Sequence, residues 1–206
     1  MCSSDLPKEI EEVGAMVAAE AQGLCRAAGG RAGDVLARKE RMQVLCANRE
    51  GPMGVSGWNR LIESHLGSPA REAWYAGRPV MVTRNSKPLG LANGDVGVVV
   101  PGRGDRMEAV FGADVRPVRV PVARLEHVAT VHALTIHRSQ GSEYDHVVVV
   151  LPDRKSRLLT RELLYTGVTR GRKKVTVIGS EEVIDAAIGK PIRRATGLAD
   201  RASRPR

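Results

Sequence analysis

The chain has 206 residues, of which 42% are hydrophobic, so it can form one large domain or two small ones with a packed core. A formal net charge of +9 favours a polyanionic partner such as nucleic acid, although a basic protein without such a partner also fits. Cys2, Cys25 and Cys46 show no CxxC spacing, which argues against a disulfide framework and suits the cytoplasm. Because no apolar run reaches membrane-spanning length, no membrane partner is expected.

The first third of the chain predicts helices around one short strand. Met1–Leu6 reads like a translated sequencing adapter on a truncated gene, so we expect these residues not to be native. Glu9–Ala28 has apolar residues at helical spacing and stops before a glycine pair. Met42–Ala47 is an apolar run typical of a buried strand, and Val55–Leu66 predicts a helix that Gly67 ends.

The pattern changes at about residue 76, where short β-type runs alternate with Gly, Pro and Asn turns. Val118, Val120 and Val122 alternate with Arg119 and Pro121, which is typical of a half-buried strand. These runs predict a small β-barrel over residues 76–128, inserted into an α/β domain.

An α/β pattern resumes after residue 128. Runs of valine flanked by helices predict a mostly parallel sheet that is covered on both faces. The predicted strands and helices are Val131–Ile136, Val147–Leu151, Thr160–Thr169, Val175–Ile178 and Glu181–Ile188. The basic tail from Lys190 onward is expected to fray.

The polar stretch Thr135–Glu143 carries residue types that bind nucleotides or nucleic acid. We expect it at the carboxyl edge of the sheet, where ligands bind in open α/β folds. Gly141 allows close backbone approach, Glu143 can accept a hydrogen bond from a sugar hydroxyl, and His137 and Ser139 can donate to phosphates, as can Thr135. A solvated polar turn between two strands fits the same residues equally well.

A second stretch, Thr160–Gly179, places Arg170 at the end of a predicted helix. A guanidinium there can contact a terminal phosphate and stabilise charge that develops during phosphoryl transfer. Two simpler alternatives remain: Arg170 caps helix carbonyls, and Arg172–Lys174 form a solvated basic turn.

The two stretches, TIHRSQGSEYDHVVVVLP and LTRELLYTGVTRGRKKVTV, closely resemble motifs V and VI of superfamily 1 helicases. Together with VLCANREGPMGVSGWNRLIE and WYAGRPVMVTRNSKPLGLANGDVGVVV, they resemble motif IV and the insertion of the exodeoxyribonuclease V alpha-subunit (RecD) family. The resemblance covers roughly residues 40–180 and implies a RecA-like second motor domain, of the P-loop NTPase type, with an inserted SH3-like β-barrel. The implied divisions are a helical lead-in (1–39), the motor domain (40–75 and 129–189), the insertion (76–128) and a basic tail (190–206).

The resemblance also implies residue roles. Arg170 is the catalytic arginine finger that faces the ATP γ-phosphate, and Glu143 faces the ribose. The implied ATP-binding residues are Gln140, Gly141, Glu143 and, with a looser match, Arg49; the implied single-stranded DNA contacts are Thr135, His137 and Ser139. Two positions depart from the family pattern, since Arg138 replaces a common Lys and Gly171 a usual Ala.

The sequence contains no G-x-x-x-x-G-K-[ST] phosphate loop. VVVVLPD resembles a Walker B strand, but no second acid follows Asp153, and the four clustered histidines match no zinc pattern, so no metal site is expected. The resemblance therefore implies that ATP with Mg²⁺ binds between this domain and the first motor domain of the same protein. This chain alone is expected to be inactive as an ATPase.

The leading hypothesis is a C-terminal part of an ATP-dependent DNA helicase subunit. The resemblance implies 5′→3′ translocation on single-stranded DNA and double-strand-break repair with the other exodeoxyribonuclease V subunits. The alternative is a non-catalytic nucleic-acid- or protein-binding module derived from the helicase scaffold. A phosphate loop encoded upstream in the same gene would separate these two hypotheses.

Overall fold

A computed structural model describes residues 6–67, 70, 73–104, 106–112, 117–154, 156 and 158–191. The supposed adapter residues 1–5 and most of the predicted basic tail, 192–206, lie outside the described residues. Within the described part of the chain, no helix is both long and apolar enough to cross a membrane.

The described residues form five α-helices and nine strands. The helices are α1 (Leu6–Ala27), α2 (Ala32–Lys39), α3 (Val55–Leu66), α4 (Arg161–Val168) and α5 (Glu181–Gly189). The strands are β1 (Met42–Cys46), β2 (Pro79–Val82), β3 (Val96–Pro101), β4 (Met107–Phe111), β5 (Val118–Pro121), β6 (Val128–Thr130), β7 (Ala133–Thr135), β8 (Tyr144–Val150) and β9 (Gly171–Ile178). Short 3₁₀ turns lie at Lys87–Leu89, Val122–Arg124 and Ile136–Ser139.

Four strands form a parallel sheet in the order β7-β1-β8-β9, which confirms the predicted parallel sheet. Alternate residues of each strand face opposite sides of the sheet. Val44 and Val148 pack with Trp58 of α3 on one face, where α1 also lies. Leu45 and Val149 pack on the other face, with α4 and α5. The sheet is thus covered on both faces, as the valine runs predict.

The local sequence explains where two of these helices begin or end. The Thr160 hydroxyl accepts a hydrogen bond from the Leu163 amide at 3.3 Å, which satisfies one free amide of the first turn of α4. Gly67 ends α3 with a φ of +67°, a conformation that glycine adopts without strain. Helix α2, in contrast, is not predicted by the sequence. It is only eight residues long, and its buried Val35 and Leu36 pack against β3 of the insertion.

The predicted strand Val131–Ile136 is too long at both ends, because only Ala133–Thr135 of it is a strand, namely β7. β6 ends at Thr130 in the insertion, and β7 begins at Ala133 in the parallel sheet. Val131 and His132 connect the two sheets and are buried. A continuous apolar run does not reveal which of two sheets a strand joins, so the sequence does not show this break.

The insertion is a five-stranded antiparallel sheet in the order β5-β4-β3-β2-β6. Its Val80, Val99 and Phe111 pack in a core within the insertion, whereas Val98 and Val110 pack against α1 and α2. Among the described residues, β5 and β6 are the two ends of the sheet and do not pair with each other. The antiparallel insertion is therefore present, and the SH3-like barrel is not confirmed.

Candidate functional site

The polar segment 136–143 crosses from one edge of the parallel sheet to the other. Thr135 ends β7 and Tyr144 begins β8, and both strands run parallel to β1 between them. The segment that joins them must therefore pass from the carboxyl edge to the amino edge. The expectation that the whole polar turn lies at the carboxyl edge is wrong, because only its first residues lie there.

A cavity of about 480 Å³ lies at the amino edge of the sheet, and we call it the amino-edge cavity. Its charged and glycine lining comes mainly from the residues that precede three neighbouring strands. Lys39 and Glu40 precede β1, Gly141 and Glu143 precede β8, and Arg170 precedes β9. Arg172, near the start of β9, also lines it. Parallel pairing brings these short segments together although they are far apart in sequence.

The Arg170 guanidinium is held in this cavity by neutral acceptors. Its Nε donates to the Thr166 carbonyl at 3.1 Å, and its Nη1 donates to the Ser142 carbonyl at 3.4 Å. Its Nη2 donates to the Thr169 hydroxyl at 3.3 Å. None of the described carboxylates forms an ion pair with Arg170, so its charge is available to a ligand. The capping role is also present, since Thr166 belongs to the last turn of α4.

The basic run Arg172–Lys174 is not the solvated turn that the simpler alternative predicts, because β9 begins at Gly171. The Arg172 guanidinium lies 3.1 Å from an Asp145 oxygen and 3.4 Å from a Glu40 oxygen. The Lys173 ammonium lies 2.9 Å from the other Asp145 oxygen. A hydrogen bond from Lys173, followed by the charges of Lys173 and Arg172, lowers the pKa of Asp145. Arg172 is therefore already paired.

Gly141 belongs to residues 136–143, which we call the crossing segment, and has a backbone conformation that favours glycine. Its φ of +85° is in the left-handed region, and the space where a Cβ would project is open. The backbone is therefore accessible from the cavity. Gln140 is exposed in the crossing segment beside Gly141, outside the residues that line the cavity.

A second cavity, of about 230 Å³, lies where β1 and β7 end, and we call it the carboxyl-edge cavity. Arg49, Thr135 and Arg138 line it, together with Asn59 and the end of β6. The structure does not bring Arg49 together with Arg170. Because Arg49 follows the carboxyl end of β1 and Arg170 precedes the amino end of β9, the two guanidinium groups lie at opposite edges of one parallel sheet. The structure of this chain therefore does not support the expectation that Arg49 and Arg170 reach the same γ-phosphate.

The other predicted DNA contacts differ in their exposure. His137 is exposed on the 3₁₀ turn after β7. Ser139 has no exposed surface, and its hydroxyl donates to the Ile136 carbonyl at 2.7 Å. Its predicted contact with DNA is therefore not available in this conformation, and the hydroxyl instead closes the turn. Arg138, which the sequence marks only as a replacement for Lys, also lines the carboxyl-edge cavity.

We expect Ser139→Ala to lower the free energy of unfolding by about 0.5–1.5 kcal/mol, because it removes the hydrogen bond from the buried Ser139 hydroxyl to the Ile136 carbonyl. Its affinity for single-stranded DNA should equal that of the unchanged chain. Urea unfolding and fluorescence anisotropy with a labelled oligonucleotide measure the two quantities. Arg138→Ala is the matched comparison and should show the reverse pattern. If Ser139→Ala folds stably but binds DNA more weakly, that result would support the predicted contact between Ser139 and DNA.

Two of the four clustered histidines have structural partners. A His132 ring nitrogen lies 2.7 Å from the Tyr75 hydroxyl, and the two rings stack. Burial is the main cause that lowers the pKa of His132 to about 3, so this side chain is neutral near pH 7. A His146 ring nitrogen lies 2.9 Å from the Thr176 hydroxyl. Across the described residues, no group of three or more His, Cys, Asp or Glu side chains is arranged to hold a metal ion.

Comparisons with known proteins agree with this architecture. Residues 130–178 match the model of the UvrD-like helicase C-terminal domain. The RecBCD enzyme subunit RecD of Mycobacterium tuberculosis is 48% identical over 167 residues, which are 79% of this chain and 29% of that protein. The subunit from Haemophilus influenzae is 34% identical over 164 residues, 76% of this chain and 24% of that protein.

Two further similarities involve helicases. The ATP-dependent RecD2 DNA helicase of Deinococcus radiodurans is 33% identical over 168 residues, 78% of this chain and 23% of that protein. A crystal structure of Bacteroides Pif1 bound to single-stranded DNA superimposes with a TM-score of 0.48 and 15% identity, and covers 89% of this chain and 53% of that one.

The doubly covered parallel sheet and the helicase-domain match define the class, which is an α/β domain of a superfamily 1 DNA helicase. Within this class the chain belongs to the RecD family, and it corresponds to the C-terminal part of a RecD subunit. It spans less than a third of the length of these curated relatives.

Proposed function

We propose that this chain is the second motor lobe of a RecD-type DNA helicase subunit and supplies one half of its ATP site. The observation that carries this proposal is the shared cavity of Arg170, Gly141 and Glu143. Arg170 is held there without an ion pair to any described acid. The non-catalytic binding module is not favoured, because such a module does not require an arginine without an ion pair beside an accessible glycine backbone.

The lining of the amino-edge cavity fits a nucleotide. The Arg170 guanidinium can bind the terminal phosphate, the open backbone at Gly141 admits a phosphate chain, and the Glu143 carboxylate can accept a hydrogen bond from a ribose hydroxyl. In ATP hydrolysis the γ-phosphoryl group passes to water. Arg170 would neutralise the negative charge that the oxygens of the γ-phosphoryl group carry in the transition state. The phosphate loop and the Mg²⁺ ligands are expected on the first motor domain of the same protein.

We assign single-stranded DNA to the carboxyl-edge cavity. Thr135 can donate a hydrogen bond to a phosphate, and Arg138 and Arg49 add two guanidinium groups. The nucleotide and the DNA then lie at opposite edges of one sheet, and the crossing segment 136–143 connects them. A shift of this segment when ATP binds would therefore also move Thr135 and Arg138. Such a link is what 5′→3′ translocation driven by ATP requires.

At the level of the whole protein, we propose the activity implied by the sequence resemblance. The complete subunit would unwind DNA during double-strand-break repair by recombination in the cytoplasm. Its partners would be the other exodeoxyribonuclease V subunits.

The test of this proposal uses a chimera and measures DNA-stimulated ATP hydrolysis. In the mycobacterial RecD relative, the segment that matches this chain is replaced by this chain. We expect ATP turnover stimulated by single-stranded DNA from the chimera and negligible turnover from the 206-residue chain alone. A folded chimera that binds DNA but hydrolyses no ATP would contradict the proposal that this chain supplies half of the ATP site.

DNA binding is tested separately on the 206-residue chain. Phosphate contacts release counterions, so the affinity for a labelled oligonucleotide should fall steeply as salt rises. Arg138→Ala should reduce both the affinity and the salt slope, whereas Arg103→Ala, in an exposed turn of the insertion, should change neither. Equal losses from the two variants would show that general surface charge, and not the carboxyl-edge cavity, binds the DNA.

A further inference from the structure

A buried lysine, Lys39, lines the amino-edge cavity. Lys39 is the last residue of α2, and only 8% of it is exposed. Its ammonium donates to the Gln43 side-chain oxygen and lies 5.3 Å from the centre of the Tyr144 ring. Both Lys39 and Tyr144 belong to the lining of the cavity that holds Arg170.

The surroundings orient an acceptor toward this ammonium. Gln43 is 1% exposed, and its amide nitrogen donates to the carbonyls of His132 at 2.9 Å, Val44 at 3.1 Å and Val131 at 3.4 Å. These bonds fix the amide, so its oxygen faces Lys39. An ammonium has three donors, and among the described residues Gln43 is the one acceptor recorded for it. Donor capacity therefore remains for a ligand.

Burial of an ammonium without a carboxylate is costly, and buried lysines are ordinarily paired. No ion pair joins Lys39 to any of the described acids. Burial lowers the pKa of Lys39 to about 8, and the neighbouring Glu40 opposes this shift. A methionine would occupy a similar volume without this cost, so the stability of the fold does not explain the charge.

The cavity contains three cations, but they differ in their partners. Arg172 is paired with Glu40 and Asp145. Arg170 and Lys39 have no ion pair within the described residues, and they approach the cavity from β9 and from the end of α2. Two unpaired cations on different sides of one cavity suit a ligand with several negative charges.

We propose that the Lys39 ammonium is a second phosphate ligand of this lobe and binds the phosphate chain of the nucleotide whose terminal phosphate contacts Arg170. This inference rests on the proposed function. It adds a contact that Arg170 alone does not provide, at the end of the cavity formed by α2 and β1. Since α2 packs against the insertion, that contact also connects the nucleotide to the insertion sheet.

The charged and titratable groups around Lys39 determine how the contact depends on pH. From its own segment these are Arg38, which pairs with Glu20 of α1, and Glu40. From the other elements they are His132, Tyr144, Glu143, Arg170 and Arg172. A phosphate chain adds negative charge to this set and raises the pKa of Lys39. ATP binding above pH 8 should therefore take up a proton, and affinity should fall as pH rises through 8.

The decisive measurement is the pKa of Lys39 in the 206-residue chain, followed through its ε-carbon by NMR with and without ATP. The resonance is assigned by its absence in Lys39→Met. Magnesium is omitted, and ATP has already lost its last proton in this pH range. We expect saturating ATP to raise the pKa by about one unit or more, which corresponds to roughly tenfold weaker binding at pH 9.5 than at pH 7. Lys39→Arg should bind ATP without this pH dependence.

The matched control is Lys173, whose side chain is 73% exposed and pairs with Asp145 outside the cavity lining. Lys173→Met should bind ATP as the unchanged chain does, with the same dependence on pH. If ATP binds and Arg170→Ala weakens it while the pKa of Lys39 stays constant, this inference is overturned and the proposed half-site stands. If ATP changes nothing at Arg170 or Lys39 in this chain, the titration is repeated in the chimera, where the same absence of change would overturn both proposals.

Discussion

Arg170→Ala should lower kcat for DNA-stimulated ATP hydrolysis by the chimera about 10³- to 10⁵-fold, the range that arginine fingers contribute to phosphoryl transfer. The guanidinium is positioned before any ligand binds, since all three of its nitrogens donate to acceptors in α4, in its C-cap Thr169 and in the crossing segment. It therefore needs little reorganisation to stabilise charge on the γ-phosphoryl oxygens. Steady-state ATPase assays at saturating single-stranded DNA measure the loss.

Two comparisons make this result specific to Arg170. Arg170→Lys keeps the charge but loses the planar fork, so most of the rate loss should remain. Arg161→Ala removes an exposed guanidinium at the opposite end of the same helix, and its kcat should stay within about twofold of the unchanged chimera, as expected for a surface position. DNA affinity of Arg170→Ala should be unchanged, because DNA is assigned to the other edge of the sheet. Full turnover by Arg170→Ala would remove the arginine finger from the proposal.

The elements with strong apolar patterns could be predicted from the sequence. Val147–Val150 is a run of four valines, and the structure buries all of them at the centre of the parallel sheet. The predicted strand nevertheless begins three residues late, because Tyr144 and His146 look polar in the sequence and are buried by tertiary packing. β9 likewise begins at Gly171 although its first residues are charged. Local composition does not report the pairing that extends these strands.

The position of the site at the sheet edges could not be predicted in the same way. A strand followed by polar residues indicates the carboxyl edge, but the edge reached by Gly141 and Glu143 depends on the direction of the next strand. Residues 136–143 cross the sheet because β7 and β8 run parallel, and local composition does not show this direction. Lys39 was missed for a related reason. A lysine at the end of a helix usually contacts solvent, and burial of this one depends on the distant insertion that packs on α2.

The packing of the insertion on α1 leads to the second large effect. Gly77 precedes β2, and its amide donates to the Val99 carbonyl at 2.8 Å. Its φ is +89°, and a Cβ at this position would lie 2.4 Å from the Cα of Cys25 and 2.6 Å from its backbone nitrogen. A main-chain contact of this kind cannot be relieved by rotating a side chain. The insertion and α1 therefore approach each other at a position that only glycine fits.

We expect Gly77→Ala to lower the free energy of unfolding by about 3 kcal/mol, from left-handed strain of 1–2 kcal/mol and a comparable or larger cost of overpacking. This corresponds to a decrease in Tm of roughly 6–12 °C for a chain of this size, measured by thermal unfolding. Gly94→Ala is the matched control, because its φ is +100° and its Cβ would contact nothing within 4 Å. It should show the strain alone. Equal losses from both variants would mean that the insertion does not pack tightly on the Cys25 backbone, and the connection from the nucleotide through α2 to the insertion would lose this support.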